Sequence, residues 1–264
     1  MLLPETGADL TDEAIVAAYA WPQDAWPQDA GTPVAADGAW LRCNMVSSVD
    51  GAARGPDGLS GPLNNAADMR VFGLLRGRAD AILVGAQTVR AEGYRSARPK
   101  AAFADARRTA GQRPAPVMAL VSRSLDLDTG AAMFADPAER PIVLTTQSAD
   151  PGRRAALERV ADVVMCGDTS VDPGLARAAL VARGLTRIHS EGGPTLLAGL
   201  AAAGQLDELC LTVTPVLAGG AYPDLADVSR ILHGVPLPDP PRALRIGHLL
   251  EDDGTLFLRY RVTA

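Results

Sequence analysis

The sequence lacks any apolar run approaching the roughly 20 residues needed to span a bilayer, and it has no Lys or Arg before position 42. The basic start of a secretory signal is therefore missing, and a cytoplasmic protein with no membrane partner is expected. Cysteine is scarce: Cys43, Cys166 and Cys210 are odd in number, widely spaced, and form no Cys-x-x-Cys. A disulfide framework and a zinc site are both excluded from expectation. His189, His233 and His248 are too scattered for a metal centre, so none is expected. Aromatic residues make up 4% of a chain that is 47% hydrophobic, which leaves the core to Ala, Val and Leu. Lys100 is the single lysine, a skew that weakens each arginine as evidence for phosphate recognition. No Ser-His-Asp triad, no Gly-Lys-Ser/Thr phosphate loop and no glycosidase-like pair of carboxylates is present.

Charge is unevenly spread. Glu5, Asp9, Asp12, Glu13, Asp24, Asp29 and Asp37 precede the first base, so the net charge of -6 is -7 from residues 1–41 plus +1 from the remainder. A near-neutral body gives no footprint for a nucleic-acid partner.

The 264 residues suffice for one large α/β domain. Residues 1–38 read as an acidic appendage, with a short helix over Thr11–Tyr19 capped by Thr11. A tandem Trp-Pro-Gln-Asp-Ala at 21–25 and 26–30 then reads as a loop. From 39 to 264 strands and helices alternate. Strands are predicted over Trp40–Val46, Ala79–Val84, Val117–Val121, Ile142–Thr145, Val163–Cys166, Ile188–Ser190 and Leu209–Val216. Helices are predicted over Ala66–Arg76, from Gln87, and over Arg153–Arg159, Pro173–Arg183 and the Thr195 region. In the Ala66–Arg76 helix, Met69, Phe72 and Leu75 lie near one face. Residues 94–116 read as a basic surface excursion with a helical turn or two. This alternation argues for a mostly parallel sheet with helices on both faces. Residues 243–250 and 255–262 flank an Asp-Gly turn, so an antiparallel hairpin closes the sheet. Its outer edge is the expected surface of a homodimer.

Two places join a strand to a helix through glycine. In Ile188-His-Ser-Glu-Gly-Gly-Pro-Thr-Leu-Leu197 the paired glycines permit close approach of a ligand to the backbone. Pro194 suits the first helical position, and Thr195 lies in a turn whose free N–H groups attract anions. In Ala81-Ile-Leu-Val-Gly-Ala-Gln-Thr-Val-Arg90, Gly85 makes the turn, Thr88 offers a hydroxyl and Arg90 a cation. Ligands of open α/β sheets bind beyond the carboxyl ends of the strands. That rule gathers residues 44–51, 58–64 and 121–124 at the same rim, with Ser122 and Arg123 placed to hold a ribose phosphate. Asp68 and Phe72, four residues apart, share a helix face. A carboxylate there can hydrogen-bond an amino-pyrimidine edge.

Asn44-Met-Val-Ser-Ser-Val-Asp-Gly51, Ile82-Leu-Val-Gly-Ala-Gln-Thr-Val-Arg-Ala-Glu92, Val121-Ser-Arg-Ser124, Glu191-Gly-Gly-Pro-Thr-Leu196 and Thr212-Val-Thr-Pro-Val-Leu-Ala-Gly-Gly220 together resemble the reductase domain of riboflavin biosynthesis. The resemblance spans about residues 40–262. It implies the dihydrofolate reductase-like three-layer fold and NADPH as hydride donor. The implied substrate is a ribosylamino-pyrimidine phosphate such as 5-amino-6-(5-phosphoribosylamino)uracil, reduced at the sugar C1′. Carried over by position, it sets the cofactor against Gly85, Thr88, Arg90, Ser122, Arg123, Glu191, Gly192, Gly193, Thr195 and Leu196. Asn44, Ser47, Ser60, Leu63 and Asn64 then line the substrate side, with Asp50 the first choice for proton delivery and Asp68 the second catalytic candidate. The His-x-Glu and Pro-Cys-x-x-Cys ligands of the family's zinc deaminase are absent, so a stand-alone reductase is expected. Asp68 with Phe72 also resembles the acidic pterin-binding helix of dihydrofolate reductase, which leaves a dihydropterin substrate open. A third reading is a regulator that binds NADPH without turnover.

Overall fold

The computed structural model describes residues 9–22, 36–219, 230–237, 239 and 241–263. Nine strands form one sheet: β1 (Trp40–Ser48), β2 (Ala81–Gly85), β3 (Val117–Val121), β4 (Ile142–Thr145), β5 (Asp162–Met165), β6 (Arg187–Ser190), β7 (Glu208–Thr214), β8 (Leu244–Asp252) and β9 (Thr255–Val262). Their order is β5-β4-β3-β2-β6-β1-β7-β9-β8. Pairings from β5 through β7 are parallel, while β9 runs antiparallel to both β7 and β8. The hairpin turn has Asp253 at φ 47° and Gly254 at φ 78°. Two successive left-handed residues are what a two-residue turn between twisted strands requires.

The helices are α1 (Asp12–Ala18), α2 (Ala66–Gly77), α3 (Ala86–Glu92), α4 (Ala104–Thr109), α5 (Ala132–Ala135), α6 (Pro151–Glu158), α7 (Pro173–Val181) and α8 (Pro194–Ala202). Leu41, Leu83, Ala119 and Leu144 pack under α7 and α8 on one face. On the other, Ile82, Met118 and Val143 pack under α5 and α6, while Cys210 and Phe257 pack under α1 and α2. Helix–sheet–helix layering results, as the strand–helix alternation implies. The excursion after Tyr94 carries a 3₁₀ turn at Ala101–Phe103 followed by α4.

Two details differ from expectation. On α2 the core face is Val71, Leu74 and Leu75, whereas Met69 is 52% exposed and Phe72 half-buried. Hydrophobic spacing alone does not say which apolar residues face a partner helix and which face a cleft. The short α5 has neither a capping side chain nor a long apolar repeat to announce it.

Under α1 lies a buried ionic cluster. Glu208 accepts from Arg42 Nε, from Arg259 Nη2 at 2.6 Å and from Trp40 Nε1 at 3.1 Å. The Arg42 guanidinium also lies 4.2 Å from the Trp21 ring, and Arg259 donates to the carbonyls of Ala18 and Ala20. Burial opposes the charge of Glu208, but the two guanidiniums outweigh it and hold its carboxyl down at about 2. Of the duplicated segment, Trp21 and Pro22 are described, and Trp21 is fully buried; residues 23–35 lie outside the described residues.

Candidate functional site

At the carboxyl ends of β1, β2 and β6 the chain opens into a cleft of about 370 Å³. The two glycine-bearing turns meet at its edge. Gly85 N–H donates to the Gly192 carbonyl at 2.8 Å, and Gly193 N–H donates to Thr88 Oγ1 at 2.9 Å. A Cβ on Gly193 would sit 2.7 Å from that hydroxyl oxygen, and one on Gly192, at φ +75°, would sit 2.7 Å from Met45 Sδ. A side chain at Gly192 would be strained by its positive φ, and one at Gly193 would displace the Thr88 hydroxyl that its N–H meets, so glycine keeps this stretch of backbone open to the space. Pro194 occupies the first position of α8, with Thr195 and Leu196 next to it. The residues present therefore fit an anion at the start of α8.

The cleft floor is an ion pair. Arg76 on α2 grips Glu191 with both Nε and Nη2, at 2.5 and 2.6 Å. Burial disfavours the charge on Arg76, but the Glu191 carboxylate more than restores it, so the guanidinium is held charged. Arg76 also lies over the Phe72 ring at 4.5 Å and near the Tyr94 ring at 5.3 Å. Burial pushes the Tyr94 hydroxyl well above its ordinary value, and the Glu191 carboxylate pushes the same way. Behind Glu191 the fully buried His189 sits with Nε2 3.7 Å from Oε1. Burial drops its pKa to about 4, so it is neutral at pH 7.

Asp68 is 4% exposed and lines the cleft. Asn65 caps α2 by accepting from the Asp68 N–H at 2.9 Å, which fixes Asp68 in the first turn. Burial raises its carboxyl pKa, and a hydrogen bond with Thr212 on β7 partly offsets this. Asn44, Ser60 and Asn64 share the lining, as do Thr88, Glu191 and Gly193. Ser60 is positioned by its N–H, which donates to Glu92 Oε1 at 2.9 Å.

Other candidates lie apart from this lining. Asp50 is exposed, and its carboxylate accepts from Ser48 Oγ and from the N–H groups of Ala218 and Gly219 at 3.1 and 2.8 Å. Those three donors, Ser48 foremost, hold its carboxyl at about 2. Asp50 thus anchors the loop after β7, and Asp68 is the aspartate that lines the cleft. Ser47 and Leu63 are buried and are not among the residues that line the cleft. Arg90 turns away and donates to the Asp126 carbonyl at 2.7 Å. Ser122 Oγ accepts from the Leu125 N–H at 3.0 Å, leaving exposed Arg123 free at the next strand end along the rim.

Arg76, Tyr94, Arg54 and Arg95 line the cleft without having been singled out from the sequence. For Arg76 a signal exists: the stripe from Asp68 to Phe72 continues one more helical step to position 76. Arg54 and Arg95 sit in polar stretches without periodicity, and no pattern marks them. Among the described residues no group of three or more His, Cys, Asp or Glu could hold a metal ion, and no helix is long and apolar enough to cross a membrane.

The profile of the family described as RibD C-terminal domain matches residues 39–237. A protein of Archaeoglobus fulgidus named 2,5-diamino-6-ribosylamino-4(3H)-pyrimidinone 5′-phosphate reductase is 27% identical over 177 residues, covering 67% of this chain and 80% of its own. Its namesake in Methanothermobacter thermautotrophicus is 28% identical over 204 residues, covering 77% and 88% respectively. The crystal structure of a pyrimidine reductase-like protein from Corynebacterium diphtheriae superposes with a TM-score of 0.79 at 28% identity. That match covers 97% of this chain and all of the other.

Proposed function

The chain belongs to the RibD C-terminal domain family, and from that premise we propose that it is an NADPH-dependent reductase of a ribosylamino-pyrimidine 5′-phosphate. The observation that carries this reading is the meeting of the Gly85 and Gly192–Gly193 turns beside a cleft holding a buried carboxylate. NADPH, when bound, supplies the hydride that reduces the opened, imine-like sugar C1′ to a ribityl carbon. The turns and the first residues of α8 offer backbone N–H groups to its phosphates. Arg76 and Glu191 fix the floor against which the sugar lies, which is a positioning role. Arg54 and Arg95 line the cleft with no carboxylate partner among the described residues, and they suit the substrate's phosphate. Asp68 contacts the pyrimidine ring. The exocyclic nitrogen takes its proton from water, because Asp50 is occupied by three donors.

The test is NADPH oxidation by the purified protein with the ribosylamino-pyrimidine phosphate, followed by loss of nicotinamide absorbance. Absence of oxidation would sink the reading. Replacing Arg123 by Ala should weaken NADPH more than NADH, since only NADPH carries a 2′-phosphate; equal losses would remove Arg123 from that contact. The buried Asp68 also favours a second reading, a dihydropterin substrate, for which dihydrofolate in the same assay is decisive. We further propose a homodimer through the outer edge of β8, where Leu244 and Ile246 are 42% and 53% exposed. A monomer in sedimentation at micromolar concentration would refute it.

A further inference from the structure

A second cavity, of about 280 Å³, lies between α2 and the excursion that follows Tyr94. Its lining has Met69, Phe72 and Arg76 in common with the cleft and no other residue, so these three form a partition between two spaces. The volume is near the lower end of small-molecule sites, roughly 300 Å³.

The charge of this chamber is one-sided. Arg76, Arg98, Lys100 and Arg107 belong to its wall, and among the described residues no aspartate or glutamate does. Arg76 is held by Glu191. Arg98 pairs with Asp136, but both side chains are exposed, and such a pair is weak. Lys100 is exposed, and its Nζ donates to the Gly73 carbonyl at 3.0 Å, which leaves two further donors. Arg107 is 2% exposed. Its Nε and Nη1 go to the carbonyls of Arg113, Gly77 and Ala79, and its Nη2 has no acceptor. Cations set in walls of low dielectric focus a positive potential into the space between them. The remaining wall is apolar and largely flat, with the rings of Phe72, Phe103, Pro114 and Pro116. Such a surface suits the face of a ring.

We propose that this chamber is a binding site for a small organic anion, a carboxylate or phosphate carried on one flat ring, with Lys100 meeting the anionic group. The ring packs against the Phe103 side, and the head group stays near solvent, where Lys100 and Arg98 stand. This site is separate from the cleft, and nothing in it depends on the reaction carried out there.

The test uses the fact that Lys100 is the single lysine of the chain. Acetylation of the wild-type protein with a succinimidyl acetate, followed by mass spectrometry of the Lys100 peptide, reads this position alone. Saturating phenyl phosphate or benzoate should slow acetylation of Lys100 at least about tenfold, and benzyl alcohol, which has the ring without the charge, should not. The anion that protects at the lower concentration identifies the head group. An unchanged rate with both anions, or equal protection by benzyl alcohol, overturns the proposal. Calorimetry gives a second reading. In an Arg54→Met/Arg95→Met background, which strips the cleft of its own free cations, the protecting anion should still bind. Adding Lys100→Met should weaken that binding at least about tenfold, the scale of one charge-assisted hydrogen bond. Loss of binding in the background itself, or a smaller effect of Lys100→Met, would assign the anion to the cleft and remove the second site.

Discussion

Replacing Glu208 by Ala should lower folding stability by about 3–5 kcal/mol, the cost of stripping the partner from a buried charge. Two guanidiniums share this one carboxylate, since Arg42 and Arg259 both meet it and their side chains are 0% and 1% exposed. Neither can reach water without moving α1, whose end is held by Arg259 through the Ala18 carbonyl. Urea denaturation would read the loss as a fall in midpoint, and heating as a fall in Tm on the order of 10 °C. A loss below about 1 kcal/mol would show that water enters the cluster. Replacing Arg42 by Met in the Glu208→Ala background should recover part of the loss, because it removes one of the stranded charges. The pH dependence has a definite sign. The folded-state pKa of about 2 lies below the ordinary 4.5, so the contribution is complete above pH 4.5 and disappears as pH falls toward 2.

The second large effect concerns the cleft floor. Arg76→Met should reduce kcat/KM by at least about 100-fold, because displacement of positioning groups by an ångström has effects of that order. Glu191, with its side chain 2% exposed, would lose both of its short contacts and lie beside a thioether. The carboxylate, left with Tyr94 and the neutral His189 beside it, would draw in water or a proton, and the Phe72 and Tyr94 rings would lose the nearby cation. Single and double variants, Arg76→Met, Glu191→Gln and both together, measured for kcat/KM and for urea stability, give the coupling energy directly. Strict additivity would mean that the two residues act independently and would remove the positioning role argued for Arg76.

Much of the architecture was legible because it rests on local rules. Glycine turns, Pro194 at a helix start and the Asp253–Gly254 hairpin each leave a short-range mark, and the structure has them where the spacing puts them. The site was legible only in part. Gly85, Thr88 and Gly193 fall together because two strand ends are neighbours in the sheet, which the rim rule anticipates. The orientation of single side chains is another matter. Nothing in the local sequence tells that Asp50 finds the N–H groups of Ala218 and Gly219, 168 and 169 positions away, or that Arg90 turns to Asp126. The ionic cluster around Glu208 was equally hidden, since Arg42 and Arg259 stand 166 and 51 positions from it. Long-range polar pairing has no periodicity to betray it.

The stretch matched by the family profile, 39–237, stops before β8 and β9 and starts after α1. Cut out at those limits, it would expose the whole hydrogen-bonding flank of β7, which β9 covers from Glu208 to Val213. It would also strand Glu208 without Arg259. An open strand flank next to a half-neutralised buried acid invites misassembly, so the 39–237 stretch alone should be less stable in urea than the chain that keeps α1, β8 and β9.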